Sequence, residues 1–201
     1  MRKRTVKQVQ SKSAGLILAA GHSRRLGQPK ALIHLQGQQV IHRLIDVYVA
    51  SGLAPIVVVC NGETRIAVED REEIDIVLGN PKGEMIDSVI LGLEALPKNI
   101  SNVIVQPVDA AFTSEEMIAA LLNGQPGVTR VLCHQGQPGH PVQVPRSLFH
   151  EIQNRPKEGL RGVLAEHDVE LVEWPEPTIL ADLDTEADLR RWQISSPALL
   201  H

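Results

Sequence analysis

The chain has few aromatic residues and few cysteines. Phe, Trp and Tyr together make up 2% of its 201 residues, which argues against the aromatic platforms on which single-stranded nucleic acid stacks. The formal net charge of -4 argues against a general nucleic-acid-binding protein, since such proteins usually carry a basic surface. The two cysteines, Cys60 and Cys133, form no CxxC pair, so we expect incidental thiols in a reducing, cytoplasmic compartment.

Long apolar segments are also missing. No apolar run approaches the roughly 20 residues that a helix needs to cross a bilayer, so we expect no membrane association. The N-terminal residues are basic and polar and lack the apolar stretch of a signal peptide. We predict a flexible tail over residues 1–13, a single domain over residues 14–193 and a second tail over residues 194–201.

Short β-branched segments alternate with segments of helical periodicity. Strands are predicted at Ala14–Leu18, Ile56–Cys60, Ile74–Leu78, Val103–Val105, Val128–Leu132, Val142–Val144 and Val169–Trp174, with a loop over residues 134–141. Helices are predicted around Val40–Tyr48, Ile86–Leu96, Met117–Leu122 after a capping box from Thr113 to Glu116, and from Thr185 onwards with Asp188 in the cap. Strands that are apolar throughout are typical of a mainly parallel sheet with helices on both faces, so the predicted fold class is α/β.

The residues after the first strand concentrate positive charge. In Leu18-Ala-Ala-Gly-His-Ser-Arg-Arg-Leu-Gly-Gln-Pro-Lys30 the strand ends at glycine, and Arg24, Arg25 and Lys30 follow. Gly21 lets the backbone approach a ligand, and backbone N–H groups in such a loop can bind an anion. The cations can complement phosphate oxygens. Neither the GxGxxG nor the Walker fingerprint is present, and a solvated polar loop is the alternative interpretation.

Carboxylates lie where the predicted parallel strands end. Asp109 follows the strand at Val103–Val105, and Asp182 and Asp184 precede the final helix. Open α/β sheets bind ligands at the carboxyl ends of their strands. Mg²⁺ is held by one or two carboxylates together with substrate phosphates. The alternatives are a turn cap for Asp109 and helix initiation for the other two aspartates.

Two further segments are candidates for ligand contact. Asn80–Ser88 runs from a strand into a helix, whose N-terminus would face an anion or a ribose; an ordinary loop and helix cap is the alternative. Gly159–Leu164 carries Arg161, which would contact an anionic substrate or serve as an ordinary surface arginine.

These motifs together resemble a known family. Leu18–Lys30 is similar to LAAGxSxRMGxxK, the pattern of the MobA-like nucleotidyltransferases, which include the molybdenum cofactor cytidylyltransferases. Gln106-Pro-Val-Asp109 resembles the family's metal-binding QPVD motif, residues 182–189 resemble its DIDTPEDL segment, and Gly136–Pro141 resembles GxxGHP. Leu26 replaces the usual methionine, and Ala111 replaces the proline of QPVDxP.

The resemblance implies a Rossmann-like, three-layer αβα fold and a set of site residues. Mg²⁺ would be held by Asp109 and Asp184, with Asp182 as the alternative second ligand. Lys30, Arg25 and Asp109 would be the catalytic residues. The nucleotide would contact Leu18, Ala19, Ala20, Gly21, Arg25, Lys30, Ser88 and Asp109, and the acceptor would contact Gly139, His140, Pro141 and Arg161.

The implied activity is transfer of CMP from CTP to a phosphate-bearing acceptor, with release of pyrophosphate. LAAG rather than LAGG, together with QPVD, resembles the cytidylyl branch more than the guanylyl branch. The partners would be CTP, a molybdopterin-like acceptor and, transiently, a molybdoenzyme. Two alternatives are an NAD(P)H-dependent oxidoreductase relative, which the missing GxGxxG disfavours, and a chaperone that inserts the finished cofactor into a molybdoenzyme.

Overall fold

The computed structural model describes residues 12–21, 28–35, 37–125, 127–154 and 159–194. Arg24 and Arg25 of the charged loop lie outside these residues, as do most of the two predicted tails. The first strand begins at Ser13, the last residue of the predicted N-terminal tail. Among the described residues, no helix has the length and hydrophobicity of a membrane span.

Within these ranges, seven strands form the main sheet and two short strands form a separate hairpin. The main sheet contains β1 (Ser13–Ala19), β4 (Ile56–Cys60), β5 (Ile74–Leu78), β6 (Asn102–Pro107), β7 (Thr129–His134), β8 (Gln137–Pro145) and β9 (Val169–Glu173), and the hairpin contains β2 (His34–Leu35) and β3 (Gln38–Gln39). The order is β5-β4-β1-β6-β8-β7-β9, and β8 is antiparallel to both neighbours while the other pairs are parallel. The predicted mainly parallel sheet is confirmed.

Helices cover both faces of the sheet. They are α1 (Val40–Ala50), α2 (Gly62–Val68), α3 (Met85–Ala95), α4 (Glu115–Leu122), α5 (Phe149–Gln153), α6 (Gly159–Ala165) and α7 (Glu186–Ile194), with short 3-10 helices at Lys30–Leu32, Arg146–Leu148 and Pro177–Leu180. Successive strand side chains point to opposite faces. Ile17 therefore packs in the core layer of α1, α2 and α4, and Leu16 packs in the layer of α3, α5 and α6.

Helix α3 lies unusually close to β1. A Cβ atom built on Gly92 would be 2.2 Å from Cδ1 of Leu16, so the helix could not approach the strand this closely with a side chain at position 92. Gly92 therefore allows α3 to pack directly on the middle of β1.

The predicted loop over residues 134–141 is wrong. The chain reverses within Gln135 and Gly136, whose φ angles are 52° and 77°, and two adjacent positive φ values suit the tight turn of a β-hairpin. Strand β8 then begins at Gln137. Gly139 and His140 consequently lie on a strand, which holds them more firmly than a loop would.

Two helix starts also differ from the sequence prediction. The N-cap of α4 is Ser114, whose Oγ accepts from the amide of Met117 at 3.4 Å, rather than Thr113. Helix α2 was not predicted, since it is short; Asn61 caps it by accepting from the amide of Thr64. The predicted cap of α7 is confirmed.

Candidate active site

The candidate site lies at the carboxyl ends of the neighbouring strands β1 and β6. The amide of Val108 donates to the carbonyl of Leu18 at 3.0 Å, which ties the segment after β6 to the end of β1. Asp109 follows immediately. Lys30 is the first residue of a 3-10 helix that returns to the same edge, and Asp184 comes from the segment before α7.

Lys30 brings the two predicted metal ligands together. Its Nζ donates to Oδ2 of Asp109 at 2.9 Å and also to Oδ1 of Asp184. The side chain of Lys30 is 16% exposed, and those of Asp109 and Asp184 are 22% and 45% exposed. Residues 79 and 154 positions away from Lys30 in the chain therefore meet at one ammonium group.

The charges of this group favour a cation. Burial disfavours the ammonium of Lys30, but its hydrogen bond to Asp184 and the charge of Asp109 outweigh the effect of burial, so the pKa of Lys30 is raised above 10.5. Burial, and next the charges of Asp109 and Asp184, raise the pKa of Asp182 above 3.8. The charges of Asp109 and Asp184 therefore reach Asp182, but the carboxylate that contacts Lys30 is that of Asp184.

A cavity of about 170 Å³ opens beside Lys30 and Asp109. Its described lining comprises Leu18, Ala20, Gly21, Lys30, Asn80, Gly83, Glu84, Met85, Ser88, Pro107, Val108 and Asp109. Six predicted nucleotide contacts are therefore brought together. Ala19 instead packs in the core on the face of α1, and Arg25 lies outside the described residues.

The N-terminus of α3 is already occupied by carboxylates. The side chain of Glu84 accepts from the amide of Asp87, and the side chain of Asp87 accepts from the amide of Glu84 at 3.0 Å. This reciprocal cap satisfies two helix donors and adds negative charge. The cap that the sequence offered as the alternative is therefore present. The N-terminus also lines the smaller cavity through Glu84, Met85 and Ser88, so its contact with an anion or a ribose stays a prediction.

A second, larger cavity of about 740 Å³ adjoins the first, and Glu84 and Met85 line both. Gly139, His140 and Arg161, three of the predicted acceptor contacts, lie in its wall. Pro141 is buried at the next position of β8 and is not among the described lining residues. Most of the wall is apolar, and the side chains that make it so are Met85, Ile86, Val131, Pro138, Val142, Leu160, Leu164, Val169 and Leu171.

His140 is an uncharged group in this wall at neutral pH. Its Nδ1 is buried without a hydrogen-bond partner among the described residues. Burial lowers the pKa of His140 below 6.5, and the charge of Asp109 opposes this only in part. The neutral imidazole keeps one N–H donor.

The depressed pKa of His140 predicts a pH effect on stability. The unfolded chain takes up the proton near the ordinary value of 6.5, whereas the folded chain does so only at lower pH. The contribution of His140 to the free energy of unfolding is therefore fully present above pH 6.5, and it is lost as the pH falls through the folded-state pKa. His140→Gln should flatten the loss of thermal stability between about pH 7 and pH 5.

The matched control is His150→Gln, because His150 is exposed on α5. Thermal unfolding of both variants, together with an NMR titration of the His140 ring, checks the prediction. A ring that titrates above 6.5 would contradict it.

Comparison with known families agrees with this geometry. A family model described as a MobA-like NTP transferase domain matches residues 15–171, which include every described lining residue of both cavities but not Asp184. The chain belongs to this family. It is thus a nucleotidyltransferase of the MobA-like type, as predicted.

Relatives of this MobA-like protein are distant but similar along most of their length. A probable molybdenum cofactor guanylyltransferase of Bacillus cereus (strain AH820) is 28% identical over 170 residues, which cover 81% of this chain and 79% of the relative. The crystal structure of Rv0371c from Mycobacterium tuberculosis H37Rv has a TM-score of 0.82 at 22% identity, covering 92% of this chain and all of the other. A nucleotidyl transferase from Methanothermobacter (Mth528) has a TM-score of 0.78 at 18% identity and covers 90% of this chain and 96% of the other. These structures show the predicted fold.

Several lining residues of this MobA-like enzyme were not singled out from the sequence. Asn80, Gly83, Glu84 and Met85 line the smaller cavity, although only Ser88 was selected from that segment. The spacing of Glu84 and Asp87 was the available signal, since two carboxylates three residues apart can form a reciprocal cap. The apolar wall of the larger cavity had no local signal, because its residues come from separate elements.

Proposed function

We propose that this enzyme transfers CMP from CTP to a phosphate-bearing acceptor, molybdopterin, in a Mg²⁺-dependent reaction. The observation that carries the proposal is the contact of Lys30 with both Asp109 and Asp184, beside the smaller of two adjoining cavities, the larger of which has a mainly apolar wall. A triphosphate needs cations, and a heterocyclic acceptor needs apolar walls.

The carboxylates fit a hard divalent cation. Oδ1 of Asp109 is buried and has no hydrogen-bond partner among the described residues, so a strong acceptor atom remains for a metal ligand bond. No set of three or more His, Cys, Asp or Glu in the described ranges is arranged to hold a metal. Asp109 and Asp184 would therefore share Mg²⁺ with substrate phosphates and water, as is usual for this ion. A crystal structure of Rv0371c in complex with manganese, at 20% identity to this chain, is consistent with this assignment.

The reaction needs charge neutralisation more than proton transfer. A phosphate monoester has a second pKa near 6 and is largely a dianion at pH 7. Its oxygen attacks the α-phosphorus of CTP, a new P–O bond forms, and the bond to the β-phosphate breaks as pyrophosphate leaves. Lys30, with Arg25, would balance the charge on the phosphate oxygens, and the metal would stabilise the same charge when bound. The neutral His140 would donate a hydrogen bond to the acceptor.

The choice of base depends on Ala20. Ala20 is one of the lining residues of the smaller cavity, and it packs so close to Gly79 that a Cβ built on that glycine would be 2.7 Å from its methyl carbon. A methyl in place of hydrogen narrows the cavity, which favours a pyrimidine over a purine. The Bacillus relatives are named guanylyltransferases, which supports GTP as the second candidate.

The decisive experiment measures binding of CTP, GTP, ATP and UTP with Mg²⁺, followed by pyrophosphate release with molybdopterin. We expect CTP to bind at least about 10-fold more tightly than GTP and to release pyrophosphate. Ala20→Gly should reduce this preference, and Gly62→Ala, which adds an exposed methyl with nothing within 4 Å, is the control. If the unmodified enzyme bound GTP more tightly than CTP, GTP would become the proposed nucleotide substrate. Binding without pyrophosphate release would favour the insertion chaperone.

A further inference from the structure

Gly139 lies where β8 touches the segment that leads to Asp184. A Cβ built on Gly139 would be 2.2 Å from the carbonyl oxygen of Ile179 and 2.9 Å from its carbonyl carbon. The clashing atoms belong to the backbone, so no side-chain rotation can relieve the clash. Any side chain at position 139 must push β8 and the 3-10 helix Pro177–Leu180 apart.

That segment runs directly into the carboxylate site. The side chain of Ile179 is buried in the core. Four residues later, the amide of Leu183 donates to the carbonyl of Asp109 at 3.2 Å. Asp184 follows and contacts Lys30. The backbone between Ile179 and Asp184 is therefore held at both ends, once against β8 and once against the loop of Asp109.

We propose that Gly139 is a positioning residue for Asp184. Because it has no side chain, the backbone at Ile179 packs directly on β8, and this packing sets the distance of Asp184 from Lys30 and Asp109. The same residue lines the larger cavity, so one strand position forms a wall of that cavity and supports the carboxylate site. The catalytic value of placing Asp184 in this way rests on the proposed function, whereas the packing of Ile179 on β8 does not depend on it.

The size of the effect follows from the contact distance. Real Cβ atoms essentially never approach a heavy atom within 3.0 Å, so Gly139→Ala must increase the separation between β8 and the Ile179 backbone by roughly 1 Å, a distance that matters at a reacting centre. A misplacement of that size at a reacting centre can cost about 100-fold in rate.

The first test uses hydrogen exchange in the metal-free protein, so that it does not depend on the reaction. In Gly139→Ala, the amide of Leu183 should exchange at least about 10-fold faster than in the unmodified protein, because its hydrogen bond to Asp109 is weakened. Amides of α2 should be unchanged in the same sample. The control is Gly62→Ala, whose added methyl has nothing within 4 Å. Unchanged exchange at Leu183 would overturn the proposal.

A second variant covers the case in which Gly139→Ala does not fold. Ile179→Ala keeps Gly139 but removes most of the buried side chain that seats the same segment. It should also accelerate exchange at Leu183, and a rate equal to that of the unmodified protein would count against the positioning role.

Metal affinity then separates this proposal from the proposed function. By electron paramagnetic resonance, Gly139→Ala should bind Mn²⁺ at least about 10-fold more weakly than the unmodified protein, whereas CTP affinity in EDTA should change by less than about 2-fold. If exchange at Leu183 is faster in Gly139→Ala but the unmodified protein binds no Mn²⁺, the positioning role stands and the metal site is rejected. Normal Mn²⁺ affinity in Gly139→Ala would reject the positioning role and leave the metal site standing.

Discussion

Asp109→Asn should fold normally and lose turnover by at least about 100-fold, the scale on which removal of one electrostatic catalytic group is felt. The amide is nearly the same size as the carboxylate but carries no charge, so it neither attracts a divalent cation nor pairs with Lys30. The loss should appear mainly in kcat. Pyrophosphate release, measured with saturating nucleotide and acceptor, checks this result.

The control for Asp109→Asn is Asp75→Asn, which removes an exposed carboxylate from the edge strand β5. This variant should turn over at the unmodified rate. Thermal unfolding of both variants establishes that each is folded at the assay temperature. Full activity in folded Asp109→Asn would remove Asp109 from the metal site and from the mechanism.

Lys30→Ala should weaken nucleoside triphosphate binding by about 10-fold or more, because a charge-assisted hydrogen bond contributes roughly 1.5–3 kcal/mol. It should also reduce turnover, since Lys30 faces the same cavity as Asp109. Lys30→Ala should change the affinity for Mn²⁺ in the opposite direction to replacement of a metal-binding aspartate. The ammonium contacts the same two carboxylates that would hold a metal ion, and its positive charge repels that ion, so affinity for Mn²⁺ alone should rise.

Lys98→Ala is the matched control, since Lys98 is exposed after α3. Calorimetric titration with CTP and with Mn²⁺ separates the two effects of Lys30→Ala. Unchanged CTP affinity would refute the assigned role. The contribution of Lys30 to stability should also persist up to about pH 10.5 and be lost as the pH rises through its raised folded-state pKa.

The fold class was predictable because it depends on local pattern. Strands such as Ile56–Cys60 are apolar at every position, which a chain adopts when both faces of a strand are covered. The helix at Val40 was equally clear, since its apolar residues recur on one face. The loop assigned to residues 134–141 failed because β8 contains Gly139 and three prolines, residue types that are uncommon inside strands.

Part of the candidate site was predictable for the same reason. Lys30 begins a 3-10 helix, Asp109 follows a strand and Ser88 lies in the first turn of α3. Each belongs to a recognisable motif, and all three line the smaller cavity. Arg25 lies outside the described residues, so its role stays a prediction. The cap of α3 by Glu84 and Asp87 was missed because acidic pairs at this spacing are common on solvent-exposed helices.

The sequence by itself determined which residues have chemistry to offer and which edge of the sheet they reach. Periodicity and motif order are properties of residues close together in the chain, so they can be recognised without the three-dimensional structure. Only the tertiary structure decided that Asp184, rather than Asp182, contacts Lys30, and that Gly139 supports the segment carrying it. Both outcomes depend on packing between residues far apart in the chain, where distances of a few tenths of an ångström determine which atoms touch.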